Sequence, residues 1–326
     1  MQNTDVACSA NLIVRRLLAV KPGEQVALVC DPQSEMSMVY ALAEATESLG
    51  AEYTILVMPT RGTARKNDLP PPIERALEAA DCLIGLTGSC GAPTYSRAVK
   101  HLFDKKRLRA ISMVMRSLEN YTKGGALADY DALLVDGNRL AAIWREAEHI
   151  HITSPAGTNL SAPIGGEAVM VECGFATEPG QEAAFSDGEV SQMPRAGAAE
   201  GVVVVDGPIA HIGVPDTPIT LRVTAGRVTS VEGGSPQATE LKQIVQTIRD
   251  ADNIAEIGIG LNPACRRNGD FEEEKKARGL VHVAIGDNIF YGGQVESPVH
   301  MDMVIYQPTV LLDDRTVVDA GSVQLD

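Results

Sequence analysis

A histidine and an aspartate two residues apart, His300 and Asp302, form the sharpest polar motif in the sequence. On a β-strand, side chains two residues apart point to the same face. The imidazole and the carboxylate would then converge on one point, as metal coordination requires. By itself the pair is also compatible with an exposed histidine beside an unrelated aspartate, so the rest of the chain must supply further ligands.

Other polar residues interrupt apolar stretches that read as strands. His282 lies within residues 280–285, and Glu256 opens residues 256–263. A buried imidazole needs a partner, and a buried carboxylate is costly unless it is paired or bound to a metal. A hydrogen-bonded core histidine is the simple alternative for His282. Glu189 lies on a turn before an extended segment, where an exposed carboxylate is the simple alternative.

A run of three glutamates adds to this set. Glu272, Glu273 and Glu274 precede two lysines on a charged stretch, and a solvated helix face is the simple alternative for each of them. With one of them included, the chain would offer four carboxylates and two imidazoles. Such a hard, oxygen-rich set can hold two divalent ions, and it lacks the cysteines of a structural zinc site. Two ions activate a water and polarise a carbonyl, so the residues predict metal-assisted hydrolysis.

Alternating strand and helix signals in the first half of the chain predict the scaffold. The apolar runs Gln25–Cys30 and Glu52–Val57 flank a helical pattern at residues 34–49. Strands that alternate with helices imply parallel βαβ units, and we expect an α/β Rossmann-like domain over residues 1–149. No GxGxxG follows the first strand, and the glycine-rich residues 88–91 lack a phosphate-binding lysine. A dinucleotide is therefore not indicated.

The pattern changes near residue 150, where glycine and proline become more frequent and strands become short. One clear helix begins at Pro236, with Ser235 as its expected cap. We expect residues 150–326 to form an α+β, largely antiparallel domain that binds the metal and carries the catalytic residues.

Composition excludes several classes of protein. The 326 residues include 43 acidic and 28 basic ones, a formal charge of −15 that would repel nucleic acid. No apolar run approaches the roughly 18 residues that span a bilayer. The N-terminus lacks the basic segment of a signal peptide, so we expect a cytoplasmic protein. The six scattered cysteines indicate reduced thiols, and a homodimer is the default expectation.

Several motifs, in their order and spacing, resemble the thermophilic aminopeptidase family of metallopeptidases, which includes leucyl aminopeptidase and aminopeptidase T. The phrases at residues 21–24 and 49–51 are similar to that family's first domain. The motifs in the second half are DGEVSQMP at 187–194, EIGIGLNP at 256–263, GLVHVAIGDN at 279–288 and HMD at 300–302.

This resemblance implies two divalent cations, drawn from zinc, cobalt, manganese and iron, and cleavage of an amide bond. The substrate would be a peptide with a free N-terminus or a small cyclic amide. Glu272 or Glu273 could replace Glu274 in the set, and Glu256 and Tyr291 would be the catalytic residues. The implied metal ligands are Glu189, Glu256, Glu274, His282, His300 and Asp302. The segment between His282 and His300 is short for the family, which predicts a smaller pocket and weak peptidase activity.

The chain also resembles, more distantly, the 2,5-dihydroxypyridine 5,6-dioxygenase family of ring-cleaving iron enzymes. Residues 154–158 and 173–180 are similar to two of that family's motifs. That family's metal set would place a histidine at position 256 and none at 282, so both positions favour the hydrolase. The alternative is a mononuclear iron(II) oxygenase that uses His282, His300 and Asp302. A non-enzymatic binding protein that retains the fold is the third interpretation.

Overall fold

The computed structural model describes residues 2–61, 69–87, 93–114 and 117–325. Residues 88–91, considered above for phosphate binding, lie outside this part of the chain, and so does Cys90. The other five cysteines form no disulfide within the described residues. No helix within the described ranges is long and apolar enough to cross a membrane.

Eight α-helices and eighteen β-strands are defined in the described ranges. The helices are α1 (Gln2–Asn11), α2 (Met36–Glu47), α3 (Pro71–Leu77), α4 (Arg97–Asp104), α5 (Glu119–Thr122), α6 (Tyr130–Glu146), α7 (Pro236–Thr247) and α8 (Phe271–Glu274). The strands are β1 (Gln25–Cys30), β2 (Glu52–Val57), β3 (Cys82–Thr87), β4 (Arg109–Val114), β5 (His149–Thr153), β6 (Asn159–Pro163), β7 (Met170–Glu172), β8 (Glu182–Ala184), β9 (Glu189–Gln192), β10 (Glu200–Val205), β11 (Ile219–Thr224), β12 (Arg227–Glu232), β13 (Ile254–Gly260), β14 (Val281–Gly286), β15 (His300–Ile305), β16 (Thr309–Leu312), β17 (Arg315–Asp319) and β18 (Ser322–Val323).

The chain divides into two compact units. The first comprises Met1–Leu127 and Cys173–Asp187, and the second comprises Ala128–Glu172 and Gly188–Asp326. The sequence places its expected boundary between residues 149 and 150.

The first unit contains a parallel sheet with the strand order β2-β1-β3-β4-β8. Strand β3 is buried along its whole length, as expected for a parallel sheet that is covered on both faces. The predicted Rossmann-like, parallel class of this unit is confirmed. Strand β8 belongs to the segment Cys173–Asp187 and was not predicted, because three residues give no periodic signal.

The second unit contains two sheets of antiparallel strand pairs. One has eight strands in the order β12-β11-β10-β6-β5-β16-β17-β18, and the other has five in the order β15-β14-β13-β9-β7. The antiparallel, strand-rich class predicted for this part of the chain is also confirmed. In the five-stranded sheet, β13 and β14 are buried throughout, which explains why their sequences are nearly continuous apolar runs.

Candidate metal centre

Five polar residues of the second unit share one face of its five-stranded sheet. The strand register places them there, since directly opposed residues point to the same face and side chains alternate along each strand. The opposed pairs are Gly260 with Glu189, Gly258 with His282, Ala284 with Asp302 and Gly286 with His300. Glu256 lies two residues before Gly258 and joins the same face.

Glycines on this face give the polar side chains room. A Cβ atom at Gly258 would lie 2.2 Å from Cε1 of His282, and one at Gly260 would lie 2.3 Å from the carbonyl oxygen of Ala277. No heavier side chain fits at either position without displacing these groups. The glycines of the EIGIGLNP motif therefore make space for an imidazole and for the chain after α8.

Glu256 lies between the two histidines. Its Oε1 is 2.9 Å from Nε2 of His282, and its Oε2 is 2.9 Å from Nε2 of His300. Nε2 of His282 lies 3.5 Å from Glu189, and Nε2 of His300 lies 3.4 Å from Oδ1 of Asp302. The side chains thus form two groups that share Glu256, and in each the candidate ligand atoms lie within 4.8 Å of one another. The groups are Glu189, Glu256 and His282, and Glu256, His300 and Asp302.

A backbone carbonyl fixes the orientation of the His300 ring. Nδ1 of His300 lies 2.7 Å from the carbonyl oxygen of Asp287, so Nδ1–H donates and Nε2 faces the carboxylates. This is the outer hydrogen bond that metal-binding histidines normally make. Burial alone would lower the pKa of His300, but its contacts with Asp302 and Glu256 raise it to about 10. A metal ion bound at Nε2 would displace that proton.

Three buried atoms of the centre lack a hydrogen-bond partner among the described residues. They are Oε2 of Glu189, Nδ1 of His282 and Oδ1 of Asp302. A buried polar atom without a partner carries a desolvation penalty, and a ligand bound among the carboxylates can remove it for the two oxygens. Nδ1 of His282 is not one of these ligand atoms, because Nε2 of that ring faces the carboxylates. Carboxylate oxygens and imidazole nitrogens are suitable ligands for divalent iron, manganese, cobalt or zinc. The residues present therefore fit a divalent metal.

Two lysines that follow the glutamate run, and that the sequence does not mark as part of a site, reach this centre. Nζ of Lys275 lies 3.0 Å from Oδ2 of Asp302, and Nζ of Lys276 lies 2.5 Å from Oε1 of Glu189. Burial would raise the pKa of Asp302, but Lys275 and His300 hold it well below its usual range. Lysines are almost never fully buried unless paired, yet no sequence signal shows which carboxylates they meet.

The glutamate run takes other roles. Glu274 accepts hydrogen bonds from the Gly269 backbone at 2.6 Å and from the Tyr306 hydroxyl at 2.6 Å. Glu273 forms an ion pair with Arg266 at 2.9 Å. The structure brings neither of them, nor Glu272, into the two groups of candidate ligands. The ligand position expected for Glu274 thus has no carboxylate from this run.

Tyr291 lies beside the centre. Its ring stacks on that of His300, with centroids 6.1 Å apart and planes inclined by 22°. Burial and the nearby carboxylates, of which Glu172 and Glu256 contribute most, raise the pKa of its hydroxyl well above the usual value. The hydroxyl therefore stays protonated and can donate a hydrogen bond, whereas a phenolate at this position is disfavoured.

Comparison with known proteins identifies the class as a dioxygenase, because a family model of dioxygenases matches residues 12–325. The chain belongs to that family, which is the 2,5-dihydroxypyridine 5,6-dioxygenase family (NicX). A curated 2,5-dihydroxypyridine 5,6-dioxygenase from Pseudomonas putida KT2440 is 26% identical over 342 residues, covering 95% of this chain and 93% of the relative.

Two solved structures share the fold. The 2,5-dihydroxypyridine dioxygenase from Pseudomonas putida KT2440 matches with a TM-score of 0.81 and 25% identity, over 99% of this chain and 97% of that one. AmpT, the aminopeptidase T of Thermus thermophilus, matches with a TM-score of 0.69 and 18% identity, over 98% and 99%. The expected likeness to aminopeptidase T therefore holds for the fold.

The predicted function, an aminopeptidase-like metallohydrolase that cleaves an amide bond, is wrong. The family match, the curated relative and the structure with a TM-score of 0.81 all name a dioxygenase, which was the alternative. The error arose because the fold and motif order are shared with aminopeptidase T, and oxygen-rich ligand sets serve both kinds of chemistry. The family implies a metal cofactor, in agreement with the predicted divalent metal.

Proposed function

We propose that this chain is a ring-cleaving dioxygenase for 2,5-dihydroxypyridine or a closely similar hydroxylated pyridine. One divalent iron would be held by Glu256, His300 and Asp302. Glu256 then stands where the resemblance to this family implies a histidine, and His282, which the alternative from sequence made a ligand, binds Glu256 instead. The observation that carries the proposal is the family match over residues 12–325, together with a buried group of two carboxylates and one imidazole. A metal with three protein ligands keeps open positions for substrate and oxygen.

The chain's own residues orient these ligands. The carbonyl of Asp287 accepts from Nδ1–H of His300 and so directs Nε2 toward the metal position. Lys275 binds Oδ2 of Asp302, which leaves Oδ1 for the metal. His282 binds Oε1 of Glu256, which leaves Oε2 directed toward His300. Each ligand is therefore held by a second contact that restricts its rotation.

Tyr291 would limit what can approach this metal position. Its ring covers one side of His300, and its protonated hydroxyl can donate to a substrate oxygen. When bound, iron(II) would supply the coordination and electron transfer through which dioxygen reacts with the ring. Buried carboxylates and a flat aromatic neighbour suit a small, planar, hydroxylated substrate.

The direct test is an oxygen-consumption assay on protein loaded with iron(II) under anaerobic conditions. We expect one dioxygen to be consumed for each 2,5-dihydroxypyridine, and the ultraviolet absorbance of the ring should disappear. When the dioxygen is isotopically labelled, both of its oxygen atoms should be found in the product. Asp302→Ala should remove this activity, whereas Asp319→Ala, the same change at an exposed position of β17, should retain it. Folded, iron-loaded protein that consumes no oxygen with this substrate or its hydroxypyridine analogues would contradict the proposal.

A further inference from the structure

One side of the metal centre is more open to solvent than the other. The side chains of His300 and Lys275 keep 26% and 15% of their surface exposed. On the other side, the exposed fractions of Glu189 and Lys276 are only 1% and 3%. A substrate therefore reaches the metal position past His300 and Lys275, and side chains next to Lys275 are placed to influence which substrate is accepted.

Glu272 differs from the other two residues of the glutamate run. Glu273 is paired with Arg266, and Glu274 accepts a hydrogen bond from the Tyr306 hydroxyl. The side chain of Glu272 is half-buried, and its carboxyl group makes no hydrogen bond or ion pair within the described ranges. The fold thus uses two of the three carboxyl groups, and the third keeps its oxygens for another partner.

Glu272 lies beside Lys275 and Asp302. Glu272 and Lys275 are three residues apart on one helical turn, a spacing that makes side chains neighbours. Burial raises the pKa of Glu272 to about 7, and Lys275 and Asp302 are the neighbouring charges that change this pKa most. Nζ of Lys275 donates to Oδ2 of Asp302 at 3.0 Å and makes no other hydrogen bond in the described part of the chain. Since an ammonium group has three donors, two are left for a ligand.

The two side chains offer donors and an acceptor next to each other. An ammonium group only donates, and a carboxyl group has an accepting oxygen in either protonation state. The complementary edge of a ligand is an N–H beside a carbonyl, which is the arrangement in the lactam tautomer of 2,5-dihydroxypyridine. A benzenediol has two hydroxyl groups but no such N–H. Glu272 and Lys275 therefore suit a hydroxypyridine better than a benzenediol.

We propose that Glu272 accepts a hydrogen bond from the ring N–H of the substrate and that Lys275 donates to the adjacent carbonyl, so that these two residues select a lactam ring. The inference rests on the proposed function and deepens it, because it names residues that determine specificity without binding the metal. A site that hydrogen-bonds an N–H rejects analogues that lack it, since its own polar group is then left unpaired.

Methylation of the ring nitrogen tests the role of Glu272 without turnover. Titration calorimetry on the manganese(II)-loaded full chain, under anaerobic conditions, compares 2,5-dihydroxypyridine with its N-methyl lactam. We expect the wild type to bind the N-methyl compound about 100-fold more weakly. Glu272→Ala should bind the two compounds about equally, because the hydrogen bond is absent from both complexes and the methyl group has room.

Glu272→Gln distinguishes a hydrogen bond from an effect of charge. It retains an accepting oxygen, so we expect it to keep a preference of at least about 10-fold for the compound with the N–H. Glu240→Ala, at an exposed position of α7, is the matched control and should keep the full preference. Glu272→Leu replaces Glu272→Ala if the alanine variant fails to fold.

Lys275→Met tests the second contact. It also loosens Asp302, so binding is measured at saturating manganese(II). Both compounds retain the carbonyl, and we expect both to bind about 10-fold more weakly than to the wild type, with the preference for the N–H unchanged. Unchanged affinity for both compounds would overturn the assignment of Lys275.

Two results would overturn the inference as a whole. One is a wild type that binds the two compounds equally, and the other is a folded Glu272→Ala or Glu272→Leu protein with the wild-type preference. In either case, cleavage of 2,5-dihydroxypyridine by the iron-loaded wild type would leave the proposed function intact. A wild type that binds neither compound would overturn the proposed function and this inference together.

Discussion

Each unit of the molecule buries a cluster of charged side chains, and the two clusters differ in how completely their atoms are paired. In the first unit, Arg109 donates to both carboxylate oxygens of Glu24 at 3.0 and 2.7 Å, and to the carbonyls of Leu18 and Ala19. Glu24 also accepts from the Lys21 backbone. The guanidinium and the carboxylate satisfy each other, so this cluster has a structural role.

The cluster in the second unit keeps buried polar atoms without partners. Glu189, His282 and Asp302 each retain one buried atom that makes no hydrogen bond in the part of the chain described. Two clusters of charged side chains can therefore be separated by counting donors and acceptors. A closed count indicates a structural pair, whereas unpartnered carboxylate oxygens that converge with imidazole nitrogens indicate a cation site.

The largest expected effect follows from removing a ligand atom at the open cluster. Asp302→Asn and His300→Ala should each weaken manganese(II) binding by more than about 100-fold, since even the outer partners of metal ligands are worth 10- to 100-fold. Titration calorimetry measures this loss, and circular dichroism should show unchanged secondary structure. Asp319→Asn, at an exposed position of β17, is the matched control. Unchanged affinity in both ligand variants would remove the distinction between the clusters.

At the closed cluster, the same kind of change should affect stability instead. Arg109→Met leaves the half-buried Glu24 without its cation and the carbonyls of Leu18 and Ala19 without their donor, and we expect the free energy of unfolding to fall by about 3 kcal/mol. Adding Glu24→Gln removes the stranded charge and should recover a large part of this loss. Urea unfolding measures both values. Manganese(II) affinity of the folded variants should equal that of the wild type, and a change in stoichiometry would show that Arg109 has more than a structural role.

The sequence was sufficient for the strands that carry His282, Glu256 and the His300–Asp302 pair. It placed Glu189, the buried first residue of β9, on a turn, and it did not show how the side chains pair. Alternation along a strand puts His300 and Asp302 on one face, and apolar neighbours predict that His282 is buried. The sequence could not show that Lys276, and not Glu274, reaches the centre, because neighbouring residues of a short helical turn point in different directions. Glu274 binds Tyr306, whereas Lys276 reaches Glu189.

Prediction of the fold from the sequence has the same limit. Long periodic elements such as β1 and α2 were predictable, whereas β8 pairs with β4 through three residues from a distant segment. Pairing over such a sequence distance depends on tertiary contacts that local patterns do not encode. The chemistry was mispredicted for a related reason, since one fold and one type of ligand set serve both hydrolysis and oxygenation.

A pH experiment sharpens the comparison within the first unit, where Glu182 is half-buried and one of its carboxyl oxygens is fully buried. Burial, with a smaller contribution from Asp187, raises the pKa of Glu182 to about 7, and its Oε1 has no hydrogen-bond partner among the described residues. The folded state then retains a proton that the unfolded chain loses near its ordinary pKa. The contribution of Glu182 to the free energy of unfolding is therefore fully present below that ordinary pKa and is lost as pH rises toward 7.

Glu182→Gln should match the wild type near pH 4.5 and be more stable than it at pH 7 and above. The difference should grow by at most about 1.4 kcal/mol per pH unit between these limits. Glu24→Gln is the opposite case. Burial would raise the pKa of Glu24, but Arg109 outweighs it and lowers the pKa, so stability is lost only as pH falls through that lowered value. Urea unfolding at pH 4 to 8 measures the stability of the wild type and of both variants. If the three stabilities changed in parallel with pH, neither carboxyl would have the shifted pKa described.

The smallest expected effect concerns two helix caps, one in each unit and outside both clusters. Ser96 accepts a hydrogen bond from the Val99 backbone at 3.2 Å before α4, and Ser235 accepts one from the Ala238 backbone at 3.2 Å before α7. Replacing either serine with alanine leaves one backbone donor unsatisfied and should cost about 1 kcal/mol. The two losses should be similar and additive in the double variant, because the caps share no partner. Urea unfolding measures the losses, and manganese(II) calorimetry should show wild-type affinity for both variants. A loss of metal binding in Ser235→Ala would mean that the centre depends on the scaffold of the second unit as a whole, and not only on the charges and hydrogen bonds around Glu256.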